Sequence, residues 1–167
     1  MRRDRDHHVI DRHLDNVLRH LRSVSPTAHA SRGRHGKLRG MDEAERRALI
    51  RRYWENTTGD QDQDITHEIY HEDAVLEFPQ SGERFEGVAN FKEWRSQYPA
   101  SVTLEMHDLR GQGELWVVEG SISYDGGPAQ PAVNVLEFRG DKVARETIYV
   151  TEQWEAPEWR ARWRAEP

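Results

Sequence analysis

"THEIYHEDAVLEFP", residues 66–79, is the stretch on which the fold turns. Read from its right-hand end it is a strand. Asp73-Ala74-Val75-Leu76-Glu77-Phe78 is apolar and extended in character, and Pro79, which cannot donate to a sheet ladder, stops it. Read from its left it contains His67-Glu68-Ile69-Tyr70-His71. That fits H-E-x-x-H, the pattern that sets two zinc-binding imidazoles one helical turn apart with a glutamate as general base. The two readings compete for the same residues, because a zinc helix must run on past His71 while the strand begins at Asp73. A short helix over 62–71 fits the space; a metallopeptidase helix does not. Ala74 stands where the extended motif needs glycine, and Leu76–Phe78 offer no third histidine. Zinc hydrolysis on His67, Glu68 and His71 therefore stays a remote alternative, and no metal or cofactor is expected.

Outward from this stretch the pattern is regular. Upstream, Asp42 followed by Glu45 predicts a capping box, and Ala44, Ala48, Leu49, Tyr53 and Trp54 predict one helical face. Thr57-Thr58-Gly59-Asp60 ends that helix. Downstream, "QSGERFEG" reads as a loop, and Val88–Tyr98 as a third helix with Phe91 and Trp94 on one face, closed by Pro99. Strands follow at Val102–Met106, Leu115–Tyr124, Ala132–Phe138 and Lys142–Trp154, the last three joined by Asp125-Gly126-Gly127 and Arg139-Gly140-Asp141 turns. Two or three helices followed by antiparallel strands predict an α+β fold with the helices on one face of a curved sheet.

Composition divides the chain. Residues 1–40 hold ten Lys/Arg against four Asp/Glu and lack aromatic residues. The remaining 14 Lys/Arg and 26 Asp/Glu make residues 41–167 net −12, so the two parts recover the −6 of the whole. A segment without aromatics is poor core material, so 1–40 reads as a basic arm and linker, and 41–167 as the folded domain. Val9/Ile10, Leu14, Val17/Leu18 and Leu21 predict an amphipathic helix within the arm. Met41 begins the foldable part and is a candidate translation start. The chain has no cysteine, no apolar run of membrane-spanning length and no apolar signal core. A cytoplasmic protein is expected, with no membrane partner. The acidic balance of the domain argues against nucleic acid.

"IYHEDAVLEFPQSGERFEGVANFKEW" and "ISYDGG…VLEFRGDKVARETIYV" resemble the SnoaL-like branch of the nuclear transport factor 2 (NTF2-like) superfamily. The resemblance spans about residues 42–156 and implies a cone: a bent antiparallel sheet around a hydrophobic pocket closed by helices. It implies a hydrophobic small molecule as ligand and a homodimer as assembly. It leaves open whether the chain is an enzyme, since the same cone serves cyclases, isomerases, dehydratases and members without catalysis.

By resemblance to ketosteroid isomerase, Tyr53 takes the position of the oxyanion tyrosine, Asn134 that of the neutral acid, and Phe78 that of the general base. A phenylalanine accepts no proton, so the base is missing from its implied place. Period-2 alternation puts Trp116, Val118 and Gly120 on one face of their strand and Val117, Glu119 and Ser121 on the other. If the second face looks inward, Glu119 is a candidate base with His107 as its partner; a charged outer face is the plainer alternative. Arg145, Thr147 and Tyr149 oppose Ala144, Glu146 and Ile148, and Tyr149 is a candidate for the pocket rim. Phe78, Trp94, Trp116 and Tyr149 are the candidate ligand contacts. Trp154, Trp159 and Trp163, near the end among arginines, suggest a lid or a dimer contact. Two functions follow: proton-transfer chemistry such as cyclisation, isomerisation or dehydration, or a non-catalytic ligand-binding or dimerisation module.

Overall fold

The computed structural model describes residues 40–57 and 67–165. The expected arm helix, the linker up to residue 39, and residues 62–66 of the expected second helix lie outside the described residues. Helix α1 is Glu43–Asn56, and its start is the reciprocal cap anticipated from Asp42 and Glu45. The Asp42 carboxylate accepts from Glu45 N at 2.9 Å while Glu45 Oε2 accepts from Asp42 N at 2.8 Å. The buried face differs from the expected one. Arg46, Ile50, Tyr53 and Trp54 are buried, Ala44 and Ala48 are exposed, and Leu49 is half-buried. The physical reason is that two arginines fasten the helix to the sheet. Arg46 donates to the carbonyls of Gly113 and Gly140 and lies 4.7 Å from the Phe138 ring centroid, while Arg47 donates to Leu109 O at 2.6 Å. Their aliphatic stems bury along the sheet and their charged ends find carbonyl partners.

Six strands form one mixed sheet in the order β2-β1-β6-β5-β4-β3. They are β1 Tyr70–Phe78, β2 Glu83–Glu86, β3 Val102–Gln112, β4 Leu115–Tyr124, β5 Gln130–Arg139 and β6 Lys142–Val150. Helix α2, Val88–Ser96, lies between β2 and β3 in the chain and buries Phe91. A 3-10 turn, Glu158–Trp163, follows the sheet. Two expectations are corrected. The "QSGERFEG" loop contains β2, paired antiparallel with β1, and β1 begins at Tyr70 rather than Asp73. β1 and β6 run parallel, the other neighbours antiparallel. No described helix is long and apolar enough to cross a membrane.

Bulges bend the sheet and set which side chains face inward. One falls between Met106 and Asp108, leaving His107 without a partner on β4. Nearby, the β3 backbone comes so close that a Cβ on Gly120 would meet Glu105 O at 2.2 Å, so only glycine fits. A second bulge falls on β6. Phe138 pairs with Val143 but Glu137 pairs with Arg145, so Ala144 is the extra residue. Val143 points into the core, Ala144 and Arg145 together occupy the outer face, and Glu146 turns inward. The core consists of Ile50, Tyr53, Trp54, Tyr70, Leu76, Phe91, Trp116, Val118, Leu136 and Phe138, among others.

Candidate active site

The bulge at Ala144 creates the site. It places Glu146, fully buried at 0% exposure, level with Leu136 of β5 and Leu76 of β1 on the inner face. Around this carboxylate the fold gathers Tyr53 from α1, Tyr70 from the first residue of β1, Asn134 from β5 and Arg95 from the last turn of α2. Asn134 Nδ2 donates to Glu146 Oε1 at 2.6 Å, and the Tyr70 hydroxyl donates to Oε2. Tyr53 Oη and Tyr70 Oη are 2.8 Å apart. Tyr70 has one proton and it is committed to Glu146, so Tyr53 is the donor in that pair. The order Tyr53, Tyr70, Glu146 is thus a directed hydrogen-bond chain ending on a carboxylate. Arg95 Nη2 stands 3.9 Å from Glu146 Oε2, and Nη1 donates to His67 Nε2 at 3.3 Å.

Packing holds the geometry. The Tyr53 and Tyr70 rings meet edge-on at 5.8 Å, and Tyr70 meets Phe91 the same way at 5.5 Å. Burial, reinforced by the negative charge of Glu146, pushes the Tyr53 hydroxyl above its ordinary pKa despite the opposing pull of Arg95 and of the Tyr70 hydrogen bond. The same two causes raise Tyr70 further. Both therefore remain protonated donors at neutral pH. Burial by itself would lower the pKa of Arg95, but the oxygens of Tyr53, Tyr70 and Glu146 outweigh it and keep the guanidinium charged.

Beside this polar cluster the inner face carries Leu104, Met106 and Ile148, and Phe78 packs edge-on against Trp94 of α2. All are half-buried and packed on the core. Ile148 is the register partner of Asn134. Phe78, Phe85 and Trp94 form an aromatic cluster with centroids 5.4–6.2 Å apart. An apolar shelf thus adjoins a buried carboxylate, an amide and a cation.

The candidates named from sequence fall in several places. Tyr53 and Asn134 join one network through Tyr70 and Glu146. Phe78 and Trp94 lie on the apolar shelf. Trp116 is fully buried on the inner face, with Nε1 donating to Gly113 O at 3.1 Å and Arg47 stacked over its ring. Glu119 is on the outer face, its side chain 48% exposed and 3.4 Å from Arg110 Nη1, because β4 turns Trp116 and Val118 inward. His107 is thrown outward by its bulge and sits 3.8 Å from Glu105. Tyr149 shares the outer face with Arg145, since the Ala144 bulge reverses the alternation beyond it; burial beside Glu77 raises its hydroxyl pKa. Trp154, Trp159 and Trp163 are 64–71% exposed, and Trp159 and Trp163 touch edge-on.

The H-E-x-x-H stretch does not present two imidazoles on one helical face. His67 is buried beside Arg95. His71 is on β1, with Nε2 donating to Arg139 O at 2.6 Å. Among the described residues no group of three His, Asp or Glu is arranged to hold a metal ion. Sequence reasoning did not name Glu146, Tyr70 or Arg95 for the site, and named His67 only as a metal ligand. The available signal was an acid and an amide on adjoining strands among valines and leucines, and strict alternation hid it.

A bent, open, mixed sheet with helices packed on its inner face defines the α+β cone of NTF2-like proteins. A family model of the SnoaL-like domain matches residues 50–146, and the chain belongs to that family. Solved structures agree. An NTF2-like protein of unknown function from Burkholderia xenovorans is 38% identical, covering 77% of this chain and 99% of its own, with a TM-score of 0.68. A ketosteroid isomerase candidate from Kribbella flavida is 26% identical over 73% of this chain and 89% of its own, TM-score 0.66. A SnoaL-like polyketide cyclase candidate from Shewanella putrefaciens shares the fold at 16% identity, over 63% of this chain and 88% of its own, TM-score 0.54. No curated protein matches the chain.

Proposed function

We propose that this SnoaL-like protein is a small-molecule enzyme that moves a proton at carbon beside a carbonyl group, the elementary step of isomerisation, cyclisation or dehydration. Glu146 is the general base. The observation that carries the proposal is a fully buried carboxylate, tied to Tyr70 and Asn134, next to an apolar shelf. Each Glu146 oxygen accepts one hydrogen bond and keeps a second lone pair for a substrate proton. Asn134 uses one amide hydrogen on Glu146 and has another for the substrate oxygen. Tyr53 and Tyr70 act one step back: their hydroxyls take up and release negative charge on Glu146 along the hydrogen-bond chain. A substrate C–H bond then breaks as its proton goes to Glu146, and the electron pair becomes the enolate, held at Asn134. Return of the proton to another carbon completes an isomerisation.

Phe78 and Trp94 suit a hydrophobic ligand lying on the shelf. The exposed Trp154, Trp159 and Trp163 suit a homodimer contact, and a cysteine-free chain suits the cytoplasm. A second reading, a binding module without catalysis, is favoured by the closure of the network, in which Tyr53, Tyr70 and Asn134 are all buried.

The test is deuterium exchange. β-Tetralone and an aryl β-diketone are incubated with the full chain in deuterated buffer, and loss of the α-proton signal is followed by NMR. Exchange above the buffer rate is expected, falling roughly 10²-fold or more in Glu146→Gln. Equal rates in both proteins would remove Glu146 from the chemistry. Binding without exchange would favour the module.

A further inference from the structure

Arg95 is unusual for a helix residue in a small domain: its side chain is only 12% exposed, yet no carboxylate oxygen is within hydrogen-bond distance in the described structure. Glu146 has both oxygens engaged elsewhere and remains 3.9 Å away. Its neutral partners are His67 Nε2, which accepts from Nη1 at 3.3 Å, and the hydroxyls of Tyr53 and Tyr70. Its guanidinium also lies 5.8 Å from the Tyr70 ring centroid and 5.5 Å from that of Trp94. The cation therefore spans the buried polar cluster and the aromatic end of the shelf. A neutral hydrophobic ligand has no use for a desolvated cation there, whereas an acid has.

We propose that Arg95 is a specificity-determining residue, and that the ligand is an aromatic acid whose anionic oxygen lies against the guanidinium while its rings rest on Phe78 and Trp94. The inference rests on the reading of the Glu146 cluster as the ligand site and adds the charge of the compound. It also fits the chemistry. When Glu146 takes a proton from a carbon acid, the negative charge passes from Glu146 to the substrate oxygen, and Arg95 is the cation able to follow it. Arginine suits the task because a planar fork meets two oxygens or one delocalised anion at fixed geometry and stays charged when buried.

The experiment compares naphthoate with its neutral near-isostere naphthamide, binding to the full chain being followed by tryptophan fluorescence and calorimetry. The wild type is expected to prefer naphthoate by roughly tenfold or more, the scale of one charge-assisted hydrogen bond. Arg95→Gln should bring naphthoate down to naphthamide's affinity, and Arg95→Lys should keep part of the preference. Glu146→Gln removes the anion that competes for the same cation, so the preference for naphthoate over naphthamide should widen. Thermal melts show which variants are folded; if Arg95→Gln is not, the wild-type preference and the Glu146→Gln response decide alone. Equal affinity for the two probes, binding of neither, or a preference retained in folded Arg95→Gln would overturn the proposal. Anion preference without deuterium exchange would sink the catalytic reading and leave this one standing; exchange without anion preference would do the reverse.

Discussion

Replacing Glu146 by Gln keeps the shape of the site and deletes its charge, which separates electrostatics from packing. Two losses follow. Arg95 is left as a largely buried cation whose counter-charge, 3.9 Å away, has gone. At the effective dielectric of about 20 that suits protein sites, that attraction is about 4 kcal/mol, inside the roughly 3–5 kcal/mol range for breaking a buried pair. The glutamine amide also offers one carbonyl oxygen where the carboxylate served both Tyr70 and Asn134, so one of those two donors loses its partner. Against these, glutamine is easier to desolvate than a carboxylate. The expected net loss is about 3 kcal/mol, or about 6–12 °C in melting temperature at this chain length. Arg95→Met should cost about as much, since it strands Glu146 instead. The double variant strands neither, so it should be less destabilised than the sum of the singles by at least about 1 kcal/mol. Urea unfolding of the four proteins at neutral pH measures the cycle. Additive losses would refute the coupling and with it the description of Arg95 and Glu146 as one electrostatic unit.

Gly120→Ala puts a methyl group 2.2 Å from the Glu105 carbonyl oxygen, so β3 and β4 must part; a loss of about 2 kcal/mol or more is expected in denaturant unfolding, and one below about 0.5 would show that the β3 bulge absorbs the clash. Tyr53 and Tyr70 have folded pKa values above the ordinary 10.0, so the folded state holds their protons more tightly. Their contribution is whole below about pH 10 and is lost as pH rises through the folded values. The wild type should therefore lose stability more steeply above pH 10 than a folded Tyr70→Phe variant, and matching slopes would contradict the raised value.

Much of the frame was legible because its signals are local. Asp42 and Glu45 cap α1 from within one turn, Pro79 stops β1, and Gly126 and Gly140 mark turns that their positive φ requires. The α+β cone followed from element order and from the resemblance. What stayed hidden depends on partners distant in sequence. Ala144 looks like any strand residue, yet as an unpaired residue it reverses β6, taking Glu146 in and Tyr149 out. His107 does the same on β3. Tyr70 read as helix, because its strand is completed by β6, some seventy residues later. Arg46 was not among the residues expected on the buried face of α1, because nothing local announces that it reaches the carbonyls of Gly113 and Gly140. The buried carboxylate lies on β6, just past the Ala144 bulge.

The central claim is that the Tyr53, Tyr70, Asn134 and Glu146 cluster receives a ligand. The most direct measurement is NMR chemical-shift mapping of the isotope-labelled full chain titrated with a carbonyl-labelled aryl ketone. The largest shifts are expected at residues 53, 70, 95, 134 and 146 and along the Phe78–Trp94 shelf, with the ligand carbonyl carbon moving downfield as Asn134 polarises it. Shifts confined to Trp154–Trp163 or to the outer face around Arg145 and Tyr149, with the ligand carbonyl unmoved, would make the buried network a structural core and contradict the account.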